Sequence, residues 1–153
     1  MSAGYSKKPL AQKLGIKPGI RLAILDAPDY YESLLGSLPR DAVVGKELQG
    51  ELDFIQLFAR DRIGLEREFP RLKANLKGDG MIWIAWPKGS SKQETDLNEG
   101  VVREIGLKCH LVDVKICAVD VTWSALKFVR RKEDREDFVP QQSATRSRRL
   151  RNE

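Results

Sequence analysis

Apolar runs separated by polar, Gly- or Pro-bearing stretches organise residues 1–130 of the chain. "IRLAIL" (20–25), bounded by Pro18-Gly19 and Asp26-Ala27-Pro28, reads as a buried strand, and "PDYYESLLG" after it suits a helix ending at Gly36. "DAVVG" (41–45) predicts a weaker second strand and "LDFIQLFA" (52–59) a stronger third, both compatible with burial on two faces. Leu65, Phe69, Leu72 and Leu76 recur at spacings of four, three and four, which predicts an amphipathic helix over about 62–77, capped by Asp61 and kinked or split at Pro70. "KGDG" (77–80) ends that helix and turns into the strand "MIWIAW" (81–86). Thr95 or Asp96 caps the next predicted helix, "DLNEGVVREIG", with Asp96 and Glu99 spaced as a capping box and Gly106 as the stop. "KCHLVDVKICAV" (108–119) and "TWSALKFV" (122–129) then form a terminal antiparallel hairpin. A short helix over "KPLAQKLG", from Pro9 to Gly15, precedes the whole.

Strands that alternate with helices pair in parallel through right-handed crossovers. The predicted fold is α/β, a Rossmann-like three-layer sandwich whose mostly parallel sheet ends in a C-terminal antiparallel hairpin. Ligands of such sheets gather at the carboxyl ends of the strands, where strand order reverses. Three polar segments are expected to meet on that rim: Asp26-Ala27-Pro28-Asp29, Arg60-Asp61, and Trp86-Pro87-Lys88 with Ser90 and Ser91. The last of these begins "WPKGSSKQETDL", where Lys88, Lys92, the serines and Thr95 precede a helix N-terminus whose free N–H groups attract anions. Asp96 competes for those amides, Glu94 and Asp29 make the rim partly acidic, and Trp86 offers a face to a planar ligand.

With 153 residues, 41% of them hydrophobic, the chain can build one core, expected over residues 1–130. No apolar run reaches the roughly 20 residues of a membrane helix and the first residues lack the apolar centre of a secretory signal, so a soluble cytoplasmic protein is expected. The net charge is +5, but residues 130–153 hold eight Lys/Arg against five Asp/Glu and the remainder nineteen against seventeen. A charged segment this poor in apolar residues is expected to be a disordered tail over 131–153. Its Arg146, Arg148, Arg149 and Arg151 are the candidate nucleic-acid contacts, although no aromatic residue interleaves with them.

Catalytic sets are few. His110 is the only histidine, which argues against a multi-histidine metal site, and no nucleophile elbow, P-loop or kinase set is present. His110 reads as an ordinary, partly exposed strand residue, facing away from Cys109. Cys109 and Cys117, eight residues apart in one predicted strand, would lie roughly 26 Å apart, too far for a disulfide. Strand alternation puts Val112, Val114, Ile116 and Ala118 on a buried face and Asp113, Lys115 and Cys117 on a polar one. Lys115 beside Cys117 favours thiolate and makes Cys117 a redox-sensitive candidate, against its reading as a small core residue. The sequence assigns no metal and no cofactor.

The succession "GYSKKPLAQKLGIKPG", "DAP", "WPKGSSKQETDL", "VVREIGL" and "LVDVKICAVDVTWSALKFV" resembles the small bacterial family catalogued as domain of unknown function 3052, over nearly all of residues 4–130. That resemblance implies a bacterial cytosolic protein and no particular chemistry. In topology, the strand order and "LKGDGMIWIAWPK" are also similar to the latter half of class I S-adenosylmethionine-dependent methyltransferases. Such enzymes need a glycine-rich turn after the first strand and commonly an acidic residue after the second for the ribose hydroxyls. Here Pro28, Asp29 and two tyrosines occupy the turn, and "AVVGKEL" offers only Glu47, poorly placed. The leading expectation is a non-catalytic binding or regulatory module for a small anionic ligand or a protein partner. The alternative is a divergent methyltransferase-like transferase using Asp26, Asp29, Lys88 and Ser91, and a weaker one is nucleic-acid association through the tail.

Overall fold

The computed structural model describes residues 8–137. Its strands are β1 (Arg21–Leu25), β2 (Val43–Gly45), β3 (Leu52–Phe58), β4 (Leu76–Pro87), β5 (Leu111–Ala118) and β6 (Trp123–Arg130). The helices are α1 (Leu10–Leu14), α2 (Tyr31–Leu35), α3 (Arg62–Ala74), α4 (Glu99–Lys108) and α5 (Lys132–Asp137). One sheet forms in the order β2-β1-β3-β4-β6-β5. β1 runs parallel to β2 and β3, β3 parallel to β4, and β6 antiparallel to both β4 and β5. This is the α/β, mostly parallel sheet with a closing hairpin that the apolar pattern predicted.

Alternation along the central strands divides the core into two layers. Ile55, Leu57, Ile82 and Ile84 face Leu65, Phe69 and Leu72 of α3 and Val102 and Ile105 of α4. Phe54, Phe58, Trp83 and Ala85 face Leu14 of α1 and Tyr31 and Leu35 of α2. Each of the large aliphatic and Phe side chains among these contributes about 1.5–3 kcal/mol on full burial, so the two layers dominate the stability. The Trp83 Nε1–H donates to the Leu14 carbonyl at 2.9 Å and pins the end of α1 to the sheet.

Several predicted details differ, each for a local reason. Pro70 does not split α3: it lies on the exposed face, where the carbonyl it leaves unbonded can reach water, while Phe69 and Leu72 anchor both sides of it in the core. "KGDG" does not turn the chain but lies inside β4, in a bulge where Leu52↔Leu76 pairing shifts to Phe54↔Met81. Gly80 permits it, because a Cβ there would lie 3.0 Å from the Asp53 carbonyl oxygen and 2.7 Å from Leu76. Gly106 does not stop α4 either: the helix continues to Lys108, and the missing Cβ makes room for the Phe128 ring. β2 is an exposed edge strand, with Val43 at 60% and Val44 at 44% accessibility, and not a strand buried on two faces.

His110 lies outside the strand, in the turn after α4 with φ +66°, and Cys109 is the C-cap of that helix. Both cysteines are free thiols. In β5 a bulge between Asp113 and Lys115 overturns simple alternation: Val114 and Ile116 are exposed, whereas Cys117 is buried. Past residue 131 the chain continues into α5, where a disordered tail was expected to begin; Arg146, Arg148, Arg149 and Arg151 lie outside the described residues. No helix among the described residues is long and apolar enough to cross a membrane.

Candidate functional site

Strand order reverses at β1, since β2 lies on one side of it and β3 on the other, and ligands of open α/β sheets bind where the order reverses. The first residue beyond β1, Asp26, has φ +59°, the left-handed region that glycine adopts without cost and that Asp tolerates better than most residues. A tight turn of the glycine type is therefore present without the glycine. From the end of β3, the Arg60 guanidinium donates to the carbonyls of Asp26 and Phe58, each at 3.1 Å, and lies 5.1 Å from the centre of the Trp123 ring. Arg60 thus closes the gap between the ends of β1 and β3.

Two cavities flank the Asp26 turn. The larger, about 720 Å³, lies between the ends of β1 and β2 and the α2 helix; Asp26, Asp29 and Glu32 give it acid groups, Lys46 a cation, and Ile24 and Leu38 apolar wall. The smaller, about 460 Å³, opens on the other face of the same strands, with Asp26, Lys46 and Glu47 beside Glu68 and Arg71 of α3. Asp26 and Lys46 border both, so the cavities form two lobes of one rim. The larger has the size of ordinary small-molecule sites. Behind it, Tyr31 donates its phenol O–H to Gln56 Oε1 at 2.7 Å; Gln56 is fully buried, and among the described residues its Nε2 has no hydrogen-bond partner. Burial raises the Tyr31 phenol far above its usual range, so it stays protonated.

Sequence reasoning found Asp26 and Asp29 but missed Tyr31, Glu32 and Lys46, and it dismissed Glu47. The signal was the adjacency of the β1 and β2 ends, and only the pairing Ala23↔Gly45 makes that visible.

The predicted anion loop is built differently. Asn98, not Thr95 or Asp96, caps α4 by accepting from the Val101 N–H at 2.9 Å. Asp96 instead accepts from the Arg62 N–H at 2.8 Å at the start of α3, and Asp61 accepts from Gly64 as expected. Thr95 donates to the Arg60 carbonyl at 2.7 Å, and Ser91 donates to the Lys88 carbonyl at 2.7 Å within a 3-10 turn. The backbone N–H of Lys88 is taken by Thr122. The loop therefore stitches β4 to the β3–α3 connection. Ser90 and Lys92 are exposed on it, with Lys92 at φ +68°.

Trp86 does not face the rim: it is 5% exposed and packs in the α3–α4 layer, leaving no face for a ligand. Cys117 is packed beneath α1, while Lys115 on the same face is exposed and donates to the Lys13 carbonyl at 3.5 Å. Asp113 points the other way and pairs with Arg103 at 2.9 Å.

No family model matches the chain, so the resemblance to domain of unknown function 3052 gains no support from that comparison, and no curated protein matches it. Solved structures do. Magnesium protoporphyrin IX methyltransferase from Synechocystis PCC 6803, with bound SAM, aligns at a TM-score of 0.51 and 9% identity over 80% of this chain and 74% of that one. A SAM-dependent methyltransferase from Aquifex aeolicus aligns at 0.51 and 13% identity over 78% of this chain and 86% of that one. Ribosomal protein L11 methylase from Lactobacillus delbrueckii subsp. bulgaricus aligns at 0.50 and 13% identity, covering 80% and 75% respectively. At these identities the likeness is one of fold: this chain has the Rossmann-like fold of SAM-dependent methyltransferases.

Proposed function

We propose that the chain is a divergent transferase of methyltransferase type that binds an adenosyl cofactor over the ends of β1 and β2. The fold supports this reading better than the non-catalytic module that the sequence favoured. The observation that carries it is the Asp26 turn, which takes the left-handed conformation at the end of β1 and borders both lobes of the rim. The lining fits the group: Asp26, Asp29 and Glu47 are acceptors for ribose hydroxyls, and Ile24 and Leu38 are apolar surface for a base. An excess of carboxylates over the single Lys46 suits a cationic sulfonium in the larger lobe. When bound, the cofactor supplies an electrophilic methyl group; the protein's part is to bind and orient it.

Isothermal titration with S-adenosylhomocysteine tests this reading. Wild-type protein is expected to bind one equivalent, and Asp26→Asn, which keeps a residue tolerant of positive φ but removes the charge, to bind at least about tenfold more weakly. Absence of binding at millimolar cofactor rejects the reading. Binding without turnover is a second reading, favoured by Arg60 across the β1–β3 gap, and it keeps the titration result while methyl transfer to any acceptor stays absent.

A further inference from the structure

The face of the sheet that carries α1 and α2 holds a cluster of lysines that the rim site does not use. Pairing places Trp83, Lys127 and Lys115 side by side on β4, β6 and β5. Directly opposed residues point to the same side, so both lysines share the α1 face with Trp83. Lys13, whose Nζ donates to the Ala118 carbonyl at 3.4 Å, lies at one end of the row, joined by the contact of Lys115 with its carbonyl. Lys17 lies three residues beyond Leu14, whose carbonyl accepts from the Trp83 indole, and is exposed near enough to Lys127 to disfavour its charged form.

Like charges directly opposite each other on neighbouring strands are destabilising. The β5 bulge sharpens this, because it turns Asp113 to the α4 side and leaves Lys115 without the carboxylate two residues away. Among the described residues none of Lys13, Lys17, Lys115 and Lys127 forms a salt bridge. Burial, then Lys115 and Lys17, push the Lys127 ammonium below its ordinary value. A half-buried cation facing two more cations breaks a local rule of the fold, and such breaks are expected at functional or strained sites.

We propose that Lys13, Lys17, Lys115 and Lys127 form a docking face for the phosphate backbone of a double-stranded nucleic acid. Charge complementarity selects the partner. A duplex suits this face better than a single strand, because the only aromatic side chain in the row, Trp83, is fully buried and offers no stacking platform. Contact is with phosphates, so binding is independent of base sequence.

The test is fluorescence anisotropy of a short labelled DNA duplex with the full chain over a salt series. The variant Lys115→Gln/Lys127→Gln is expected to bind about tenfold more weakly or worse, with a salt slope smaller by about 1.8, since each lost phosphate contact removes about 0.9. Its melting temperature should match or exceed wild type, which separates lost contacts from lost fold. A control of equal charge loss, Lys92→Gln/Lys108→Gln, should bind nearly as wild type. The proposal is overturned if wild type does not bind the duplex or binds anionic lipid vesicles instead. It is equally overturned if the control loses as much, or if only Arg→Gln changes at 146, 148, 149 and 151 weaken binding.

Discussion

The Arg60 guanidinium donates to the Asp26 carbonyl at 3.1 Å, so the turn that ends β1 is held by a side chain from the end of β3. Removing it should loosen the proposed site while leaving the fold intact. Arg60 is exposed but holds two carbonyls and the Trp123 ring, so Arg60→Ala is expected to cost about 1–2 kcal/mol in a urea titration. Affinity for S-adenosylhomocysteine should fall several-fold in the same variant. Unchanged affinity would separate Arg60 from the site.

Asp26 occupies a backbone position that suits glycine, at φ +59°. Asp26→Gly relieves that conformation but adds freedom to the unfolded chain, and the two effects oppose each other. Stability within about 1 kcal/mol of wild type is expected, whereas a β-branched residue in the same place, Asp26→Val, should be markedly less stable. Thermal denaturation of the two variants decides this.

Tyr31 and Gln56 form a buried polar pair, and Tyr31→Phe removes the hydrogen bond that the buried Gln56 Oε1 accepts, at a cost of about 1–3 kcal/mol. Tyr31→Phe/Gln56→Met should cost less than the sum of its single changes in a double-mutant cycle. Burial raises the Tyr31 pKa in the folded state, so its contribution is fully present below the unfolded value of about 10 and is lost as pH rises further. The stability gap between wild type and Tyr31→Phe should therefore narrow above about pH 10, as read by denaturation at a series of pH values.

Gly106 lies where α4 crosses the Phe128 ring. Gly106→Ala forces overlap in a filled layer and is expected to cost about 1–3 kcal/mol in spite of alanine's better helix propensity. Gly106→Ala combined with Phe128→Leu should recover part of that loss. A neutral or stabilised Gly106→Ala would mean that α4 sits farther from β6.

The strands and their order of appearance were legible because each apolar run is compact and bounded by Gly, Pro or charged residues, as around "IRLAIL" and "MIWIAW". Asp61 was legible as a cap because it stands before a helical period whose N–H groups need an acceptor. Details set by pairing between distant strands were not. Asp113 and Lys115 look like same-face neighbours until the bulge, a property of the β5–β6 ladder, turns them apart. Trp86 reads as a rim residue by its place at the end of an apolar run, but the side to which it points follows from the pairing of β4. Asp96 has the spacing of a capping box, yet the Arg62 N–H, 34 residues away in sequence, takes its carboxylate and leaves the cap to Asn98. Of the site itself, Asp26 and Asp29 stood out as polar residues after a buried strand, while Lys46 and Glu47 join them only through the β1–β2 pairing.

Amide chemical-shift mapping during titration with S-adenosylhomocysteine tests most directly whether the ends of β1 and β2 form the cofactor site. Saturable shifts concentrated at Asp26–Glu32 and Val44–Glu47, with little change along residues 88–95, are the expected result. Shifts centred on residues 88–95, or no saturable shift at millimolar cofactor, would contradict it.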